Sequence, residues 1–283
     1  NHRLSVAGDA SFGNIYVAGN LIAPNLALHS MSIDTITMTP SNATDFSIAI
    51  GKDAGLTDQL LNSIAIGTSA GKTNQNEDGI AIGRAAGMQD QSLNSIAIGY
   101  YAGQNQQGPR SVAIGNEAGK FTQEKDCVAI GRTAGETDQS FNSVAIGTMA
   151  GQNNQNEQSV ALGPGAGTNN QGLSAVAIGR QPALTNQGNY SIAIGYEAAR
   201  LTQDVTSIAI GRQAGRDEQG SRSIAIGYQA GYNQQGIYAI AIGDKAGDIS
   251  QNDYGIALGK DAAQSRQDTN SIAIGTMAGK TDQ

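Results

Sequence analysis

The residues with the chemistry to act as ligands, bases or nucleophiles are few. Two histidines, His2 and His29, and a single cysteine, Cys127, stand among 283 residues. No third nitrogen ligand or thiol pair accompanies the histidines, so the donor set of a zinc-type site is missing. One cysteine allows no intrachain disulfide. Hydrolytic catalysis on either histidine would need a placed nucleophile and acid, and nothing in the sequence marks them. Gly67 to Thr73 (GTSAGKT) and Gly275 to Thr281 (GTMAGKT) look like phosphate-binding loops, but three residues separate the glycines where the nucleotide motif has four. The same glycines recur without lysine at Gly147 and Gly151, which marks them as structural. Gly163 to Gly167 (GPGAG) lacks the strand and helix of a dinucleotide turn. Asp58, Asp90, Asp138 and Asp282 share one place in a periodic pattern and read as a solvated acidic edge, without the dense glycine–aspartate code of calcium-binding repeats. No catalytic residue, cofactor or metal is expected, and the chain is not expected to be an enzyme.

Tyrosine is the residue with most to offer a ligand, since it presents apolar area and a polar tip. Tyr190, Tyr238 and Tyr254 share one repeat position, and Tyr100, Tyr196 and Tyr228 share another. Tyr238 and Tyr254, one repeat apart, are placed to stack. The first three are candidate contacts for a surface glycan or protein receptor; the competing reading is that they shield turns. Asn42-Ala43-Thr44 and Asn189-Tyr190-Ser191 fit the glycosylation pattern at about the frequency chance supplies.

What must position these residues is a repeat. From Ser47 the pattern SIAIGxxAGxxxQxxx recurs every 16 residues without insertion or deletion; fourteen full copies begin at residues 47 to 255, and a fifteenth runs from Ser271 to Gln283. The third place is alanine in all fifteen copies, the fifth glycine and the thirteenth glutamine, while places two and four hold only Ile, Val or Leu. Alternation at a period of two is the signature of a strand, and the polar remainder reads as turns with one further short strand. A fixed period means that each unit stacks identically on the last. The expected fold is all-β, a parallel β-solenoid or β-roll with 16-residue coils over 47–283. At about 4.8 Å per coil, fifteen coils make a rod of roughly 70 Å.

Alternation divides the strand into two faces. The preferred assignment puts Ile48, Ile50, Ile64 and Ile66 in the coil core. Ser47, Ala49, Gly51, Ala65, Ala97, Ala145, Ala209 and Ala273 then line a small-residue face against another copy, because a stripe that is always small implies close approach of a second backbone. The opposite assignment, alanine inside and isoleucine lining an oligomer axis, also predicts association. Two aliphatics per coil make a thin core for an isolated chain, so a homotrimer is the expected state. The constant glutamines, Gln59, Gln75, Gln91 and onwards, are expected to form an amide ladder along the rod, or else to bond their own turns.

Residues 1–46 lie outside the register and read as a short β-rich stalk or entry segment. The chain opens at Asn1 with no initiator methionine and ends mid-repeat at Gln283, so further chain is expected on both sides. Composition excludes some partners. Charged residues are 14% and the net charge is −7, which disfavours nucleic acid, and no apolar run reaches the roughly 20 residues of a membrane span. Cys127 stands where serine opens most strands and is expected to be an inert small residue.

The strings Asn62-Ser63-Ile64-Ala65-Ile66-Gly67, Asn94 to Gly99 and Asn142-Ser143-Val144-Ala145-Ile146-Gly147 resemble the NSVAIG motif in the head repeats of trimeric autotransporter adhesins (the YadA-like head) and related fibre proteins of phages and large DNA viruses. The resemblance covers 47–283; it departs from that family in its 16-residue period and its constant AGxxxQ half. It implies a left-handed β-roll, three rolls packed side by side, and an extracellular location on a cell or virion surface. The expected function is a rigid trimeric rod for display and multivalent attachment, with a self-assembling filament or lattice component as the alternative.

Overall fold

The computed structural model describes residues 47–281; residues 1–46, with the expected stalk, His2, His29 and Asn42, and the terminal Asp282 and Gln283, lie outside the described residues. Every described strand has three residues. In the first coil β1 (Ile48–Ile50) is followed by β2 (Thr57–Gln59), and in the second β3 (Ile64–Ile66) by β4 (Thr73–Gln75). The strands β1 and β3 pair in parallel, Ile48 with Ile64, Ala49 with Ala65 and Ile50 with Ile66. Repeating this shift of one coil builds a continuous 15-stranded parallel sheet. The second strands form sheets of nine and four, interrupted at the coil of Leu201–Gln203, where Gln203 keeps single bridges to Gln187 and Gln219. The chain folds as a parallel β-solenoid with no helix among the described residues.

Turns stack as well as strands. Gly55 N–H donates to the Ala70 carbonyl and Leu60 N–H to the Gln75 carbonyl, so corner backbone finds its partners in the neighbouring coil, as buried polar groups must. Each coil turns at left-handed residues, for example Asp53, Asp58 and Asn62 in the first, and Asn and Asp suit that conformation best among residues with a side chain. The fifth-place glycines answer a closer constraint. Gly67 has φ +124°, and a Cβ there would lie 2.7 Å from the Gly83 carbonyl oxygen. Constant glycine therefore records close approach of this chain's own next coil.

The core corrects the preferred assignment of faces. Ala65, Ala97, Ala145 and Ala209 are fully buried and Ala273 nearly so, packed inside the coil with the eighth-place alanines such as Ala70 and Ala102. Ala49 pairs in the same register and stays exposed in the first coil. Isoleucine points outward: Ile48, Ile64 and Ile66 are half-buried and Ile50 is 57% exposed. In the first coil Ser47 is half-buried and Gly51 exposed, and along the stack both columns answer contacts within the chain. The serine column is buried in its own turn, Ser63 Oγ donating to the Leu60 carbonyl at 2.6 Å, and Gly51 stacks on Gly67. The physical reason is width. Two three-residue strands enclose a space that admits methyl groups and one crossing amide chain per coil, leaving no room for isoleucine.

That amide is the glutamine. The largest fully buried side chains are glutamines and Pro182. Gln75 Nε2 donates across the coil to the Ile64 carbonyl at 2.9 Å and along the rod to Gln91 Oε1 at 3.0 Å. The ladder runs from Gln75 through Gln91 to Gln171 and resumes from Gln187 to Gln267. Gln59 bonds the Ile48 carbonyl, while Gln75 Oε1 is buried without a partner, as is Gln187 Oε1. The second break coincides with the coil that carries Pro182-Ala183 where Ala-Gly stands in most others.

Candidate interaction surface

With alanine inside, the 15-stranded sheet presents its other face uncovered. Two aliphatic side chains per coil project from it, including Ile82, Leu162, Ile210, Ile226 and Ile242, each at least 36% exposed. A stripe about 70 Å long and about 10 Å wide has an area of about 700 Å². Contiguous apolar patches on monomers rarely exceed a few hundred Å² unless they meet a partner, and about 800 Å² per partner is the ordinary size of a stable interface.

Two columns edge this face, the residue just before each strand unit and the residue just after its glycine. Tyr190, Tyr238 and Tyr254 stand in the first. Tyr238 and Tyr254 stack, with ring centroids 5.3 Å apart and planes 9° from parallel. Arg222 lies over Tyr238 at 5.2 Å and donates to its hydroxyl at 2.8 Å. Tyr190 is exposed, three coils from Tyr238, and does not join them. The second column holds an alternation easily overlooked in the sequence: Arg180, Tyr196, Arg212 and Tyr228 follow one another at 16-residue spacing, with cation-to-ring distances of 5.4 to 5.8 Å. Arg84 sits over Tyr100 at 4.3 Å in the same column. Glu197, beside this ladder, is held below the usual carboxylate range by a hydrogen bond from Gln213, reinforced by Arg216 and Arg200.

The other sequence candidates are absorbed by the stack. In the loop Gly67–Thr73 the amides of Ser69, Ala70, Gly71 and Thr73 all donate to backbone carbonyls, leaving no nest of free N–H groups for a phosphate at those four positions. Asp58, Asp90 and Asp138 take the middle place of the second strand of their coils, where Asn74 of the neighbouring coil donates to Asp90 at 2.7 Å. No group of three potential metal ligands occurs among the described residues, and no helix there is long and apolar enough to cross a membrane. Cys127 is buried, its sulfur 3.0 Å from the Ser140 carbonyl, and burial pushes its thiol up. In the acceptor pattern at Asn189, the Ser191 hydroxyl is buried and donates to the Gly188 carbonyl.

No protein-family model, no curated protein and no solved structure matches the chain.

Proposed function

We propose that the repeat unit is a rigid structural rod whose aliphatic sheet packs against further copies of the chain, most simply as a homotrimer, forming a fibre or head segment on a cell or virion surface. The uncovered aliphatic stripe carries this reading, because water is a poor neighbour for about 700 Å² of continuous apolar surface. Threefold packing places the three stripes around one axis and gives the coils the large-residue core that alanine, serine and glutamine do not provide. Function is then mechanical and multivalent. A stiff spacer repeats each weak contact in every copy, and avidity supplies the affinity. The outward tyrosines Tyr190, Tyr238 and Tyr254 are the receptor-facing candidates, for a surface glycan or a protein. The rod works without a cofactor and without catalysis in this reading.

The same stripe suits a lattice or filament component that binds no ligand. Light scattering on dilute purified protein separates the two. A discrete mass of three chains supports the fibre segment, open-ended growth supports the filament, and a monomer at all concentrations overturns both.

A further inference from the structure

One stretch of the stack departs from the repeat. The eighth place is alanine in every coil but one, where Pro182 stands, and the ninth is glycine in all but three, where Ala183, Ala199 and Ala263 stand. The ninth residue is left-handed in each coil, at φ +52° in Gly167 and Gly215 and at +43° and +47° in Ala183 and Ala199. A side chain is disfavoured in that conformation. The same residue faces the glutamine of its own coil, since a Cβ at Gly167 or Gly215 would lie 2.8 Å from the carboxamide carbon of Gln171 or Gln219. By the same register Ala183 and Ala199 turn a methyl group toward Gln187 and Gln203, in two consecutive coils.

The consequences gather in the coils that follow. Gln171 gives its amide to the Val160 and Ala175 carbonyls and not to Gln187, which breaks the ladder. Four buried side-chain atoms lack a partner among the described residues. Three of them, Gln187 Oε1, Arg200 Nε and Asp217 Oδ1, lie here, and the fourth, Gln75 Oε1, belongs to the start of the ladder. The second sheet stops at Thr185–Gln187 and resumes at Asp217–Gln219, with Gln203 making only single bridges between them. Thr185 N–H reaches the Arg200 carbonyl at 3.2 Å, against 2.9 Å for the same bond from Thr137 and Asn153. Ala263 stands alone and breaks nothing, because Gln251 still donates to Gln267 at 2.9 Å. The long sheet is also undisturbed, Ile192–Ile194 pairing with Ile208–Ile210 in the regular register.

We propose that the stretch from Pro182 to Asp217 is a joint in the rod. The second sheet opens here first while the long sheet holds, so the coils on either side act as two stiff blocks that tilt about the strands Ile192–Ile194 and Ile208–Ile210. In a stack, stability is a sum over coils and nearest-neighbour contacts, and local opening starts where that sum is smallest. Opening lets the unpaired buried groups bond to water and releases the two alanines from the left-handed region. Both gains coincide in these coils. Opening one sheet and not the other tilts the rod toward the intact side, which gives a stiff spacer one point of adjustment without softening its length. The joint is a property of the single chain and does not depend on association between copies.

Hydrogen exchange read by mass spectrometry on the full chain tests it. Peptides covering Thr185–Gln187 and Leu201–Gln203 are expected to exchange about tenfold faster than those covering the same places at Thr137–Gln139 and Asn233–Gln235. Peptides covering Ile192–Ile194 and Ile208–Ile210 are expected to stay as slow as their neighbours in the long sheet. Pro182→Ala with Ala183→Gly and Ala199→Gly restores the common residues of the repeat and is expected to abolish the difference. Trace trypsin is expected to cut after Arg200 before it cuts after Lys72 or Lys120, which hold the same place in their coils, and to lose that preference in the repaired chain. Uniform exchange along the second sheets, or fast exchange that persists after the repair, overturns the joint. Equally fast exchange in the long sheet at these coils means that whole coils unfold, and overturns it as well.

Discussion

At the scale of single residues, the fold depends on atoms that are small or polar. A methyl group at Gly131 would meet the Gly147 carbonyl oxygen at 2.6 Å with φ at +131°, so Gly131→Ala is expected to cost ~3 kcal/mol, read as a lower denaturation midpoint. Gln139 takes an amide bond from Gln123 and gives bonds to the Val128 carbonyl and Gln155. Gln139→Ala leaves those buried groups unpaired and is expected to cost ~4 kcal/mol, again measured by denaturation. Asp248 is pushed above the ordinary carboxylate range by burial, the largest effect; Lys245 opposes it, and Asp261 and Asp244 add smaller upward pushes. A raised folded value contributes stability below the ordinary range and loses it as pH rises. Asp248→Asn should therefore raise the melting temperature at pH 7, with the gain shrinking as pH falls into the carboxylate range.

The element that decides behaviour is the long sheet, buried on one face by alanine and open on the other. Ile194 and Ile210 lie on the open face of adjacent strands, so paired aspartates there disturb neither the alanine core nor the glutamine ladder. Ile194→Asp with Ile210→Asp is expected to leave the β-sheet circular dichroism intact and shift the mass to a single chain. Alternation in the sequence located this sheet and its two faces correctly. It did not say which face was inside, because period two is symmetric under exchange of faces. A sharper clue was present: the third place tolerates only alanine, while the second and fourth accept Ile, Val or Leu, and strict size limits belong to a confined interior.

For the whole repeat unit, stability is a sum of coils and nearest-neighbour contacts. Removing residues 143–174 deletes two complete coils and joins Gln139 to the register of Gln187. The shortened chain is expected to fold, to lose about 10 Å of rod length by small-angle scattering, and to change stability modestly.

The sequence alone determined the period, the strands, the parallel stacking and the glutamine column, because each repeats fifteen times in fixed spacing and local patterning suffices to read it. Only the tertiary structure decided that Ala65 and Gln75 make the core while Ile64 and Ile66 face outward. That choice turns on the cross-section of the closed coil, a distance set by how the two short strands and the corners fit together; alternation alone is symmetric under exchange of faces, and the alanine-only third place marks the confined face without giving its width.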